Sequence, residues 1–482
     1  MHFPDRVYGL EYEYGIMVAD KNGKLRTSIR SPSRLLQPIE HSVLNKQPRT
    51  RIWHTNGSCS YVDAGEHPEH ATAECRSIRE AVIYAKAGDI LMNRIFCQPD
   101  SEGTLCLFKN NLGYDEDGIF SGFASFGCHE NYLLTKTELL IRSPKELIPM
   151  LISRQIIDGA GWWQKNGTYL FSQRAICMTH DISPRTMGDR GIITSRSTND
   201  TGRSPRLHLI PGDSNILEFP VYMKLGIGSL VLSLVEGNLC PFIPCMDPVS
   251  AMQCIASDPN TLTPYIGTTD ENSKSAFEVQ TIYLEAARRE LNTGTFDSEE
   301  TEAELKDVAL RWEQALNAIF SRDSEWMLGR FDYATKQYLI EKEIKRRNIK
   351  SQSQQMALKK DFDIYYHNIS DPLLQDRMNK LWASRRIASD QEIQRALYEP
   401  PQRTRARMRS QFIHYVREHN LTDRMYLDWS VVGCSYDTAQ ALKIENPLEF
   451  ESVWFDAYMS SFSQECKKAF DHMTEYLSNA SG

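Results

Sequence analysis

Two segments near the N-terminus constrain this chain most: Gly9-Leu10-Glu11-Tyr12-Glu13-Tyr14-Gly15, and the run from Asn56 to Cys75 that carries Tyr61, Asp63, Glu69, Thr72 and Glu74. Both mix carboxylates with aromatic and small residues in strand-like stretches. Glu11 and Glu13 are two apart, as are Tyr61 and Asp63, so a strand projects each pair to one face. Carboxylates gathered on one face of a sheet repel one another unless cations sit among them. An all-oxygen set suits Mg²⁺, which also bridges nucleotide phosphates. A lone E-x-E is ordinarily the solvated face of an edge strand; two such segments together point to a metal site. Strict alternation from Glu69 puts Thr72 and Glu74 on the opposite face, so joint use of all these groups requires a bulge.

Periodicity organises the rest. Strands are expected over residues 6–16, 52–63 (with Asn56-Gly57 as a turn) and 68–75, then a helix over 78–94. Strands over 105–110 and 131–136 are joined by a Gly-rich segment, followed by a helix at 145–159 and a short strand at 206–211. From Val221 to Val235 the pattern is helical, and helices dominate from Ser275. A long amphipathic stretch over 299–347 is expected to break near Ser321-Arg322-Asp323. Pro400-Pro401 interrupts the chain before a helix over 405–418, a hairpin-like region and a terminal helix from Phe450. Strands first and helices later indicate an α+β fold with antiparallel sheet. The 482 residues allow two or three domains.

The net charge of −8 gives no reason to expect nucleic acid as a partner. Two basic stretches, Lys342–Arg347 and Arg403–Arg409, are solvated helix faces or receivers of an acidic partner. The longest apolar stretch, Leu225 to Val235, is too short to span a bilayer, so no membrane role is expected. Residues Met1 to Arg6 carry no apolar signal core, and eleven cysteines without a C-x-x-C pair read as reduced, largely buried thiols. A cytoplasmic protein is the expectation. The chain has no P-loop and no G-x-S-x-G elbow, and Glu66-His67-Pro68-Glu69-His70 matches no zinc motif. Arg206 and His208, two apart on a strand, share a face and can reach phosphates.

These residues resemble the Pup ligase and depupylase family, which is similar in turn to glutamine synthetase and glutamate–cysteine ligase. The likeness runs through Gly9–Gly15, Asn56-Gly57 with Tyr61-Val62-Asp63, His67-Pro68-Glu69, Ala71–Cys75, Leu107–Asn111 and Gly127–Leu133. It continues through Ser153-Arg154-Gln155, Arg206-Leu207-His208, Gly212–Asn215, Pro400-Pro401-Gln402, Thr404–Arg407 and Asp428-Trp429, in family order along nearly the whole chain. The resemblance implies a glutamine synthetase-like fold. Residues 1–409 would form a large catalytic domain with a curved antiparallel sheet backed by helices, and residues 410–482 a small C-terminal domain closing the nucleotide site. It implies Mg²⁺ at Glu11, Tyr61 and Glu69, Asp63 as catalytic base, and ATP contacts at Thr72 and Trp429. Glu13, Glu74, Arg206 and His208 are further candidates for metal or phosphate.

The activity implied is ATP- and Mg²⁺-dependent joining of a small acidic modifier, Pup or a relative, to lysines of target proteins, tagging them for proteasomal degradation. It would proceed through a glutamyl phosphate on the modifier. The Arg403–Arg409 stretch is a candidate wall of the groove for that modifier. Only 40 residues separate Gly15 from Asn56, which resembles the ligase branch, since the hydrolase branch has a long insertion there. The chain departs from the family at Cys59, where the family has an ATP-contacting arginine, in the loop Arg196–Gly202, and after Tyr366-His367-Asn368-Ile369. A depupylase or deamidase, a ligase for another glutamyl carboxylate, and a binding protein without activity are the competing readings.

Overall fold

A computed structural model describes residues 1–20, 25–27, 51–63, 65–97, 99–100, 103–113, 125–135, 144–164, 166–195, 205–258, 260–267, 272–421, 425–434 and 441–462. The expected loop at Arg196–Gly202 and any helix beyond residue 462 lie outside them.

The strands that matter are β1 (Tyr8–Glu13), β2 (Arg51–Trp53), β3 (Cys59–Asp63), β4 (His67–Ala71), β5 (Cys128–Leu133), β6 (His180–Ser183), β7 (Gly191–Thr194) and β8 (Arg206–Leu209). They form one sheet in the order β6-β7-β8-β5-β1-β4-β3-β2. Every pairing is antiparallel except the edge pair β6/β7. Hairpin β2–β3 turns where expected: the Ser58 carbonyl accepts from His54 N–H, and Gly57 takes a left-handed φ of 81°.

Alternation sorts the two faces of the sheet. Tyr8, Leu10 and Tyr12 of β1, with Cys128 and Tyr132 of β5, are buried in the main apolar core. Helix α1 (Ile78–Phe96) lies on this back face, capped by Ser77, whose side chain accepts from Glu80 N–H. Gly88 permits the close approach: a Cβ there would sit 2.4 Å from the His70 ring. Helix α2 (Glu218–Glu236) is apolar all round and buried along its length, as a helix in the middle of a core should be. It reaches the same sheet face through Tyr8 Oη, 2.8 Å from Ser229 Oγ.

The structure changes two expectations and bears out a third. The strand expected over 6–16 divides at Tyr14. Its second part, Gly15–Ala19, pairs with Gly103–Phe108 in a separate sheet, while Tyr14 is buried and its hydroxyl donates to Asp89. The strand expected from Asn131 starts at Cys128, which brings His129 onto the sheet. The stretch over 299–347 breaks where expected, at Arg322 in left-handed conformation after the helix Glu299–Ser321, and continues through a short turn of helix at Ser324–Met327 to the helix Asp332–Arg346.

Helix α3 (Ala406–Glu418) runs across the domain junction expected between residues 409 and 410. Its Met408, Phe412 and Val416 form a second apolar cluster with Leu427, Val432, Ile444 and Phe455. Trp53 and Cys59 of hairpin β2–β3 belong to this cluster too, so the C-terminal residues pack on the edge of the main sheet.

Candidate active site

Register places the acidic residues on the front face in two neighbouring rows. One row crosses Arg51, Tyr61, Glu69 and Glu13; the next crosses Trp53, Cys59, Ala71, Glu11 and His129. Cross-strand neighbours of this kind have Cβ atoms about 5 Å apart. Side chains far apart in sequence thereby become one cluster.

Carboxylate oxygens of Glu13, Asp63 and Glu69 all lie within 4.8 Å of one another. The Tyr61 hydroxyl donates to Glu69 Oε1 at 2.7 Å. Glu69 is buried, and that burial, with the charges of Glu11, Glu13 and Asp63, pushes its carboxyl well above the usual range. Burial acts in the same sense on Glu13. There the His67 hydrogen bond and the charges of His129, His67 and Arg174 outweigh it and bring the carboxyl down to about 2. The group cannot be fully ionised unless a cation offsets the repulsion, and its all-oxygen donors suit a hard ion such as Mg²⁺.

Glu11 has a different environment. His129 Nδ1 lies 3.1 Å from Oε2, His208 Nε2 3.8 Å from Oε2, Asn131 donates to Oε1 at 3.1 Å, and an Arg206 nitrogen sits 3.5 Å from Oε1. Burial would raise this carboxyl, yet His208, His129 and Arg206 hold it well below the ordinary range. Oxygen and imidazole nitrogens of Glu11, His129 and His208 also fall within 4.8 Å of one another. The structure thus brings together Glu11, Glu13, Tyr61, Asp63, Glu69, Arg206 and His208, and adds His129. In the sequence the run His129-Glu130-Asn131 already joins an imidazole to further polar groups in support of a Mg²⁺ and nucleotide site, and the earlier start of the strand puts His129 and Asn131 on the front face.

The bulge required by strict alternation is present. Thr72 still pairs with Leu10, and the Thr72 N–H donates to the Leu10 carbonyl at 2.9 Å. The next pairing is Tyr8 with Cys75, so Ala73 and Glu74 together oppose Gly9. The extra residue turns Glu74 to the front face, and Thr72 and Glu74 both line the same cavity as Glu11 and Tyr61. That cavity has a volume of about 450 Å³, and its far wall is Asp428, Trp429 and Ser430.

Two of the expected groups have partners within the chain. Both oxygens of Glu74 are engaged by arginines: Arg405 Nε donates at 2.8 Å and Arg409 donates twice. Glu74 is thereby a tie between sheet and α3. In the Arg403–Arg409 stretch, Arg405 and Arg409 are buried and committed within the chain, while Arg403 and Arg407 sit in exposed pairs. Arg403 pairs with Glu300, Arg405 and Arg409 with Glu74, and Arg407 with Glu451. In the other basic stretch, Arg346 and Arg347 pair with Glu343 of their own helix.

Trp429 is held at the cavity wall from two sides. Its ring meets Trp53 edge-on at 4.9 Å between centroids, and the Arg409 guanidinium lies 4.9 Å from it. Its carbonyl accepts from Arg409 at 2.8 Å. Cys59 is buried in the apolar cluster beneath, and burial pushes its thiol up to about 12.

An α+β enzyme that gathers carboxylates on an open sheet face, beside a cavity walled by an indole, is the class that fold and site define. The sequence profile of the Pup-ligase protein family matches residues 6–433. A Pup–protein ligase of Acidimicrobium ferrooxidans is 31% identical over 471 residues, spanning 95% of this chain and 98% of its own length. That of Kineococcus radiotolerans is 31% identical over 432 residues, 86% of this chain and 90% of its own. The solved complex of the prokaryotic ubiquitin-like protein Pup with its ligase PafA superposes with a TM-score of 0.80 at 26% identity, covering 97% of this chain and 95% of that one. PafA in complex with ADP gives 0.72 at 27% identity, over 91% and 95%. The chain belongs to the Pup-ligase family, and the expected α+β fold is the one it has.

Proposed function

We propose that this protein is a Pup–protein ligase. It uses ATP to join the side-chain carboxylate of a C-terminal glutamate on a Pup-like modifier to lysines of target proteins. The observation that carries the reading is the convergence of Glu13, Asp63 and Glu69 beside Tyr61, on a sheet whose family and fold are those of Pup ligases.

ATP lies in the cavity with its base against Trp429, its sugar and phosphates passing Thr72 toward Glu11 and Tyr61. Glu11, Tyr61 and Glu69, supported by Glu13, His129 and His208, would hold Mg²⁺, which would supply positive charge against the phosphates of the nucleotide. The modifier's carboxylate attacks the γ-phosphorus, giving a glutamyl phosphate and ADP. A lysine ammonium, with an ordinary pKa of about 10.4, must then lose a proton beside that acyl phosphate. Asp63 stands at the exposed end of β3, where an incoming protein surface can reach it, and takes this proton. The amine attacks the acyl carbon, phosphate leaves, and an isopeptide bond remains. The unpaired thiols among the described cysteines and the burial of α2 support a cytoplasmic setting.

The direct test incubates the protein with ATP, Mg²⁺, a Pup-type modifier ending in Glu and a lysine-bearing acceptor. An adduct with the summed mass less one water, absent in Asp63→Asn, supports the reading. Release of modifier from a preformed conjugate, without any ligation, would instead make it a depupylase.

A further inference from the structure

The cavity wall carries Arg51, Arg206 and Arg405. Arg405 is committed to Glu74 and to the carbonyls of Ile444 and Glu445, with its side chain buried. Arg206 stands at the metal end, donating to Asn131 Oδ1 at 2.8 Å and facing Glu11. Arg51 is placed differently. It opens β2 directly across from Tyr61, with its guanidinium 5.7 Å from the Tyr61 ring. Its ion pair is with Asp428, 3.3 Å away, and the two side chains are 33% and 50% exposed. A pair so open to water is screened and yields readily to a better anion. Asp428 keeps a partner when it does, since its Oδ1 also accepts from Trp429 N–H at 2.9 Å.

The charge therefore stands between the indole that would take the base and the Tyr61–Glu69 pair that would take the metal. No other guanidinium in the described cavity wall stands in that interval. On the same face, diagonal to Arg51 across the β2–β3 ladder, position 59 offers only a buried neutral thiol. A guanidinium fork matches phosphate oxygens in pairs, which a thiol cannot do.

We infer that Arg51 binds the polyphosphate of the nucleotide and is the residue that makes the cavity select nucleoside di- and triphosphates over nucleosides. The inference rests on the nucleotide reading of the cavity given above. It also accounts for Cys59: the cation is supplied from the neighbouring strand.

The test is calorimetric binding of ADP with Mg²⁺, and of adenosine, to the wild type, Arg51→Gln and Arg51→Lys. Losing a charged, forked hydrogen bond should weaken ADP binding of Arg51→Gln about tenfold or more. Arg51→Lys, which keeps the charge without the fork, should fall between, and adenosine affinity should stay as in the wild type. In the ligation assay the KM for ATP should rise while kcat is largely kept. Unchanged ADP affinity in Arg51→Gln overturns the inference and leaves the nucleotide reading standing. An equal fall for ADP and adenosine also overturns it, because Arg51 would then shape the pocket without reading phosphate. A wild type that binds no ADP removes the nucleotide reading and the inference with it.

Discussion

Replacing Glu74 by Gln should detach the C-terminal helix from the sheet energetically, and the cost can be worked out in two independent ways. Arg409 is fully buried, and Glu74 is the carboxylate it is paired with. Removing one partner of a buried ion pair leaves an uncompensated charge, at about 3–5 kcal/mol. From the other side, burial raises the Glu74 carboxyl, but Arg409 and Arg405 outweigh it and bring it from 4.5 to about 2. At 1.36 kcal/mol per pH unit, that carries about 3 kcal/mol of folded-state stabilisation. Because the folded value lies below the unfolded one, this contribution is complete above about pH 4.5 and is lost as pH falls toward 2. Gln has no such titration. Urea unfolding read by tryptophan emission suits the site, since Trp53 and Trp429 lie 5.2 and 4.9 Å from the Arg409 guanidinium. The wild type should exceed Glu74→Gln by about 3 kcal/mol at pH 6, with the gap narrowing from about pH 4.5 and closing toward pH 2. A difference below about 0.5 kcal/mol at pH 6, or one indifferent to acid, would refute the reasoning.

Asp63→Asn should lower the ligation kcat by roughly 10²–10⁴-fold with ADP affinity kept, and full turnover in that variant would remove Asp63 as the base. In Glu69→Gln the rise in melting temperature on adding Mg²⁺ should disappear. Its melting temperature in EDTA should not fall, because burial and the charges of Glu11, Glu13 and Asp63 already disfavour the ionised form; an undiminished Mg²⁺ effect would exclude Glu69 as a ligand. Trp429→Ala should weaken ADP by about 1–3 kcal/mol, the usual worth of a base stacked on an aromatic ring, measured by calorimetry. Wild-type affinity there would place the base elsewhere.

Much of the site was legible because short-range rules act on it. Alternation in β1 and β3 put Glu11 with Glu13, and Tyr61 with Asp63, before any strand was paired with another. The same rule exposed the conflict at Thr72 and Glu74, whose answer is the extra residue opposite Gly9. Basic residues are only partly legible for a physical reason. A sequence shows how many arginines stand in Arg403–Arg409, but their partners Glu74, Glu300 and Glu451 are remote in the chain, and only the fold shows that Arg405 and Arg409 are buried while Arg403 and Arg407 pair at the surface. The strand containing His129 starts earlier than its pattern indicates because Cys128-His129-Glu130-Asn131 carries polar residues on both faces, both of them buried.

The sequence by itself determined the α+β class, the family and the spacing of carboxylates along each strand, because these are carried by residue patterns along the chain. The tertiary structure alone decided register, and with it that Arg51, Tyr61, Glu69 and Glu13 form one row beside Cys59 and Glu11. It also decided that Trp429 is brought to the cavity by Arg409, through bonds to residues more than 300 positions away in the chain. Contacts at such separation follow from how whole elements pack, and no local pattern encodes them.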